Sequence, residues 1–129
     1  MQKIPVIAGL IFSCLVLAGG VSGLPVTKTI LQRNIQSGVP RKEIVIGTAS
    51  FPTGVVIGFH THPGDEAGYV IRGTITLKTR GEADKTLLAG ASFFNASGAI
   101  HSVIAGPGGA TLVSTWIVDV GAPIATEVP

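Results

Sequence analysis

Glycine and proline interrupt this chain so often after Pro25 that no long helix fits between them. The apolar side chains in the intervals never recur at helical spacing. Eighteen glycines and eight prolines are too many for a long-helix protein and too aperiodic for collagen. What remains between the breakers is rich in Val, Ile, Thr and Phe, residues that suit a pleated surface. The expected strands are Lys28–Ile35, Glu43–Phe51, Val55–His62, Ala67–Arg72, Thr74–Thr79, Lys85–Leu88, Ser92–Phe94, Ile100–Ala105 and Thr111–Val120. Pro63-Gly64-Asp65 and Gly106-Pro107-Gly108-Gly109 read as turns, because proline presets φ and glycine accepts positive φ. Thr74–Thr79 alternates, with Ile75 and Leu77 on one face, so it has one wet side. Ala110–Val120 is mostly apolar and is expected to be buried on both faces. The fold class is therefore all-β, a small sandwich or barrel.

At 129 residues, 46% of them hydrophobic and 12% charged, the chain suits one domain and is not a disordered polymer. A net charge of +2 with no basic run, and 5% aromatic residues, argue against nucleic acid as a partner. The first residues read as an address. Met1-Gln2-Lys3 is a short positive start, Ile4 to Gly20 carries no charge, and small residues follow at Val21-Ser22-Gly23. That order is expected of a secretory signal peptide over residues 1–23, cut after Gly23, or alternatively after Ala18 or Gly20. A retained membrane anchor is the other reading, since the apolar stretch approaches spanning length. With the segment removed, residues 24–129 are expected to form a periplasmic or secreted domain that does not engage the membrane. Cys14, the one cysteine, lies in the leader, so the exported domain has no disulfide, thiolate metal cluster or cysteine nucleophile.

The three histidines carry the chemistry. His60 and His62 are two apart on an expected strand, so both leave the same face. Glu66 follows across Pro63-Gly64-Asp65, a turn short enough to return its carboxylate beside them. His101, in another strand-like run, closes a candidate set of three imidazoles and one carboxylate, suited to a divalent transition metal with positions left for water or substrate. Taken alone, a His-x-His pair is also ordinary surface polarity, and Glu66 ordinary turn polarity.

Gly54, His60-Thr61-His62, Glu66 and Gly73 stand at spacings that resemble the first signature of the cupins, with every fixed position present. Gly90, Gly98 and His101 resemble the second, with Ala96 in place of the usual proline and Ala105 in place of the usual asparagine. The departures bear on turn geometry and pocket polarity. The resemblance implies a single cupin, jelly-roll-like β-barrel with one metal (Fe, Mn, Cu, Ni or Zn) held inside it by His60, His62, Glu66 and His101. The glycines are expected at strand ends (Gly54, Gly73) and tight turns (Gly90, Gly98). It further implies an exported metal-dependent oxidoreductase of the dioxygenase type, acting on a small oxygen-rich molecule. The alternatives are a metal-dependent lyase or isomerase and a non-catalytic module that binds a metal or small ligand. Tyr69, Phe94 and Trp116 are candidate pocket residues, Phe93 is read as core or pocket, and Asn95 as a turn residue. No catalytic group beyond the metal ligands is assigned. An exposed edge strand would allow a homodimer.

Overall fold

A computed structural model describes residues 26–129. The expected signal peptide, its expected cleavage site and Cys14 lie outside the described residues. The described chain is eight strands: β1 (Thr27–Ile35), β2 (Lys42–Phe51), β3 (Val56–Thr61), β4 (Glu66–Thr79), β5 (Lys85–Leu88), β6 (Ser92–Asn95), β7 (His101–Asp119) and β8 (Thr126–Glu127). Among them no helix is long and apolar enough to cross a membrane.

Two long strands organise the rest. The C-terminal half of β7 lies between β2 and the first half of β4, with Ser114 opposite both Gly47 and Gly68. The N-terminal half of β7 lies between β3 and the second half of β4, with Val103 opposite both Ile57 and Leu77. One half-barrel is therefore β1-β2-β7-β4-β6, and the other β8-β3-β7-β4-β5. The strands β4 and β7 belong to both because they bend.

The bend corrects the expected strand list. Ala67–Arg72 and Thr74–Thr79 are one strand, as are Ile100–Ala105 and Thr111–Val120. Gly73 is not a strand end, and Gly106-Pro107-Gly108-Gly109 is not a turn between strands. The register passes from Gly73↔Ala110 directly to Ile75↔Ala105, so the surplus residues of β7 bulge while pairing continues on both sides. Gly73 and Gly109 have φ of +77° and +74°. A Cβ at Gly73 would strike the Gly109 carbonyl, and one at Gly109 the Phe51 carbonyl. Glycine is thus demanded at the corner twice, by backbone conformation and by close approach.

The two halves close on an apolar cluster of Phe51, Val70, Ile75, Leu77, Val103, Ala105, Ala110 and Leu112. Ile75 and Leu77 are buried while Thr74, Thr76 and Lys78 are half-buried, as their alternation requires. Along β7, Ala110, Leu112, Ser114 and Val118 are buried and the residues between them half-buried, so only one face is fully enclosed. Strand β1 pairs with β2 alone and is exposed along its whole length.

Candidate metal centre

His60 and His101 are direct cross-strand partners on β3 and β7, with rings 4.3 Å apart. His62, just past the end of β3, keeps the parity of His60, and its ring lies 5.0 Å from His60 and 4.9 Å from His101. Glu66 opens β4 and belongs to the other half-barrel, opposite Asn95 on β6 and Trp116 on β7. The link 62–65 does not fold back into a hairpin, since β3 and β4 are not paired with each other. It crosses between the halves, anchored where Ile117 N–H donates to the Asp65 carbonyl and Ser97 N–H to the Asp65 carboxylate. Glu66 therefore meets the histidines from the opposite wall. All four side chains are buried, at 9% exposure or less.

Hydrogen bonding decides which nitrogens are free. His60 Nδ1 lies 2.9 Å from the Gly58 carbonyl, His62 Nδ1 2.7 Å from that of Ile124, and His101 Nδ1 2.9 Å from that of Ala99. A carbonyl only accepts, so each Nδ1 donates, and each neutral ring presents a bare lone pair at Nε2. The three rings offer ligand nitrogens within 4.8 Å of one another, so the histidines could hold a metal ion.

Glu66 sharpens the argument. Its Oε2 lies 3.1 Å from His62 Nε2 and 3.5 Å from His101 Nε2. With both Nδ1 protons committed elsewhere, these approaches set lone pair against carboxylate oxygen. A cation between them, proton or metal, removes that repulsion. His62 Nε2 is indeed buried with no hydrogen-bond partner. Ligand atoms about 2.1 Å from one ion and at right angles stand about 3.0 Å apart, close to the His62–Glu66 spacing. The donor set and its spacing fit a transition metal.

Electrostatics follow from the same contacts. Burial would raise the Glu66 pKa, but the imidazoles of His101 and His62 across the cation position, and the Asn95 amide that donates to it, hold it well below the carboxylate range. His60 is lowered, chiefly by burial and further by the other two imidazoles, against opposing contributions from the Gly58 carbonyl and Glu66. Burial thus favours its neutral, ligating form.

Asn95 is not a turn residue. It is buried at 3% exposure, and its Nδ2 donates to Glu66 Oε2 at 2.7 Å. Strand β6 reaches one residue further than expected, and Asn95 shares the inward parity of Phe93. The same parity removes two candidate pocket residues. Tyr69 and Phe94 fall on the outward positions of β4 and β6, at 46% and 60% exposure, and neither borders the interior cavity. Phe93 takes the inward place, closing over Gly68, where any Cβ would collide with the tip of its ring. Trp116 does line the cavity, its ring 5.9 Å from His62. The cavity measures about 250 Å³ and is bounded by Phe51, Ile57, Phe93, Val103, Leu112 and the four polar site residues. Exposed Lys28, Thr29 and Ile30 of β1 also border it, so it opens on that side.

The segment after β7 carried no functional signal in the sequence. It returns so that β8 pairs with His60 and Thr61, and it supplies the Ile124 carbonyl that orients His62. A backbone acceptor can come from any residue type, so nothing in the residue identities marked it.

The family model for the cupin domain matches residues 47–118. No curated protein sequence matches the chain. Among solved structures, it superimposes on the DMSP lyase DddQ of Ruegeria pomeroyi DSS-3 with a TM-score of 0.67 and 20% identity, covering 80% of this chain and 51% of that one. An oxalate oxidase in complex with the substrate analogue glycolate gives a TM-score of 0.63 at 19% identity, covering 81% and 55%. A cupin superfamily protein of Desulfitobacterium hafniense gives 0.61 at 19% identity, covering 92% and 97%. The chain spans about half the length of the first two. At such identities these likenesses establish the fold alone.

Proposed function

The chain belongs to the cupin domain family, and from that premise we propose that it is an exported, metal-dependent oxidoreductase of the dioxygenase type acting on a small oxygen-rich molecule. The ligands in this reading are Nε2 of His60, His62 and His101 and the carboxylate of Glu66. One observation carries it: three Nδ1–H groups tethered to carbonyls leave three buried lone pairs within 4.8 Å of one another, two of them beside the Glu66 carboxylate. A divalent ion bound there (Fe, Mn, Cu, Ni or Zn) supplies Lewis acidity and, where redox-active, electron exchange with dioxygen.

The protein's own contributions are positional. Ile124, Gly58 and Ala99 hold the imidazoles in one tautomer, and Asn95 orients Glu66. Three neutral imidazoles and one carboxylate leave a dication with one positive charge uncompensated, which favours an anionic or enolate-like oxygen ligand. Among the described residues, the titratable groups bordering the cavity are Lys28, the three histidines and Glu66. Outside the ligand set only Lys28, on the exposed border, could move a proton, which supports metal-centred oxidation over a lyase or isomerase needing its own acid and base pair. The same scarcity supports one second reading, a non-catalytic module that captures a metal or small ligand. Export rests on the N-terminal pattern of Lys3, the uncharged run Ile4 to Gly20 and the small residues to Gly23, leaving residues 24–129 as the working domain.

The test is elemental analysis of protein purified without a chelating tag, followed by oxygen-uptake assays. About one Fe, Mn, Cu or Ni per chain with oxygen consumption supports the proposal. Stoichiometric Zn with turnover under nitrogen moves it to Lewis-acid chemistry. Metal without turnover on any small-acid panel moves it to a binding module. No metal, with none taken up on addition, overturns it.

A further inference from the structure

Two of the three imidazoles are oriented by the chain just before them, and the third from far away. His60 Nδ1 and His101 Nδ1 donate to carbonyls two residues upstream, those of Gly58 and Ala99. These acceptors come with the local backbone. His62 Nδ1 donates to the Ile124 carbonyl, 62 residues further on. Ile124 lies in the segment after β7, where no residue from Asp119 to Pro129 is buried. Hydrogen bonds, more than apolar packing, hold such a segment in place.

Those bonds flank Ile124 on both sides. Upstream, Arg33 on β1 donates to the Ala122 carbonyl at 3.0 Å and, through Nε, to Glu43 Oε2 at 2.6 Å. The same carboxylate oxygen accepts the Gly121 N–H at 3.4 Å. Downstream, Thr126 and Glu127 pair with Thr61 and His60, Val128 N–H donates to the Phe59 carbonyl at 2.9 Å, and Arg80 donates to the Pro129 carbonyl at 2.9 Å. The segment leaves β7 beside β2 and ends on β3, so it straps one half-barrel to the other across His62.

What the Ile124 carbonyl decides is the position of one proton. A neutral imidazole carries its proton on either nitrogen, and the partner of one nitrogen sets the state of the other. With the carbonyl in place the proton is on Nδ1, and Nε2 turns a lone pair toward Glu66 Oε2 at 3.1 Å. With the carbonyl withdrawn, the proton is better placed on Nε2, where Glu66 accepts it and a hydrogen bond replaces a repulsion. That tautomer has no lone pair facing the cluster. Docked and released strap therefore favour opposite states of His62.

We propose that residues 120–129 are a strap whose docking holds His62 in its ligating tautomer, and that Arg33 is a positioning residue of the metal centre acting through that strap. The inference rests on the reading of the histidines as metal ligands and adds a control on that site. Ion and strap are then linked: the ion favours the docked strap by the factor by which the docked strap favours the ion.

The test uses the full-chain protein, Zn²⁺ as the probe, and two variants at opposite ends of the strap. Arg33→Gln removes the upstream clasp, and Val128→Pro removes the N–H that Phe59 accepts. Imidazole nitrogen NMR of the metal-free protein reads each tautomer, and competition with a chelator reads Zn²⁺ affinity. Both variants are expected to move His62 toward the Nε2–H form, to leave His60 and His101 as Nδ1–H, and to weaken Zn²⁺ about tenfold or more. Arg33→Lys, which keeps a donor for the Ala122 carbonyl, should restore the Nδ1–H form. In the unsubstituted protein, Zn²⁺ should slow hydrogen exchange at Val128 N–H about tenfold, as linkage requires. His62 remaining Nδ1–H in folded variants, all three histidines shifting together, or Val128 exchange indifferent to bound Zn²⁺ would each overturn the inference. The exchange measurement needs no substitution, so it decides the matter if both variants fail to fold. Stoichiometric Zn²⁺ with unchanged affinity and tautomers in the variants leaves the metal reading standing and overturns the strap. A protein that takes up no metal, yet shifts His62 alone in both variants, keeps the strap and overturns the metal reading.

Discussion

Replacing Asn95 with leucine keeps the branched skeleton of the side chain and removes the amide that donates to Glu66 Oε2 at 2.7 Å. Both partners are buried, at 3% and 5% exposure, so water cannot replace the lost donor without rearrangement. A hydrogen bond to a charged group contributes about 1.5–3 kcal/mol. For a domain of this size each kcal/mol moves the melting midpoint by about 4–8 °C, so the metal-free variant is expected to melt roughly 6–24 °C lower. In the metal-loaded protein, loss of a partner that orients a ligand lowers affinity by about 10–100-fold. The assays are thermal unfolding followed by circular dichroism and a competitive Co²⁺ titration against a chelator of known affinity. A double-mutant cycle with Glu66→Gln separates this contact from general repacking. In the Glu66→Gln background most of the loss should vanish, because the charge that Asn95 supports is gone. A folded Asn95→Leu protein with the original metal affinity and a midpoint within about 2 °C would refute the reasoning.

Three further outcomes are expected. His62→Ala should lower metal affinity by more than about 100-fold, beyond the cost of losing a supporting partner, with the far-ultraviolet spectrum retained; full occupancy by elemental analysis would count against the site. Gly73→Ala places a Cβ against the Gly109 carbonyl at a φ of +77° and should destabilise by more than about 1 kcal/mol, measurable as a lower urea midpoint with unchanged m. The metal-free protein should lose stability as pH falls, in two windows. The His60 pKa is lowered on folding, so the unfolded chain takes up its proton first and stability drops just below the ordinary histidine value of 6.5. Glu66 is lowered too, so its contribution is present above the ordinary carboxylate value and is lost below it. His60→Gln should flatten the upper window alone, and an unchanged profile there would contradict the burial argument.

Much of this protein is legible in local order. The frequency of glycine and proline, with β-branched runs between them, gives an all-β chain without any knowledge of packing. The period-2 parity of strands puts His60 and His62 on one face and Ile75 and Leu77 in the core. These are statements about neighbours along the chain, and the covalent geometry of a strand is enough to decide them. The corner at Gly73 and Gly109 was not legible, because a bulge in a continuous strand and a turn between two strands use the same residues. Only pairing on both sides of the bend tells them apart. The meeting of Glu66 with the histidines from the opposite half-barrel, the Asn95 amide on its carboxylate, and the Ile124 carbonyl on His62 are likewise tertiary facts. Tyr69 and Phe94 show the limit most simply: an aromatic beside a site in sequence faces away from it once β4 and β6 take their register. Residue type and spacing determine which side chains can share a face. Which faces meet, and what a backbone carbonyl then holds in place, is decided only when the two halves close on a common core.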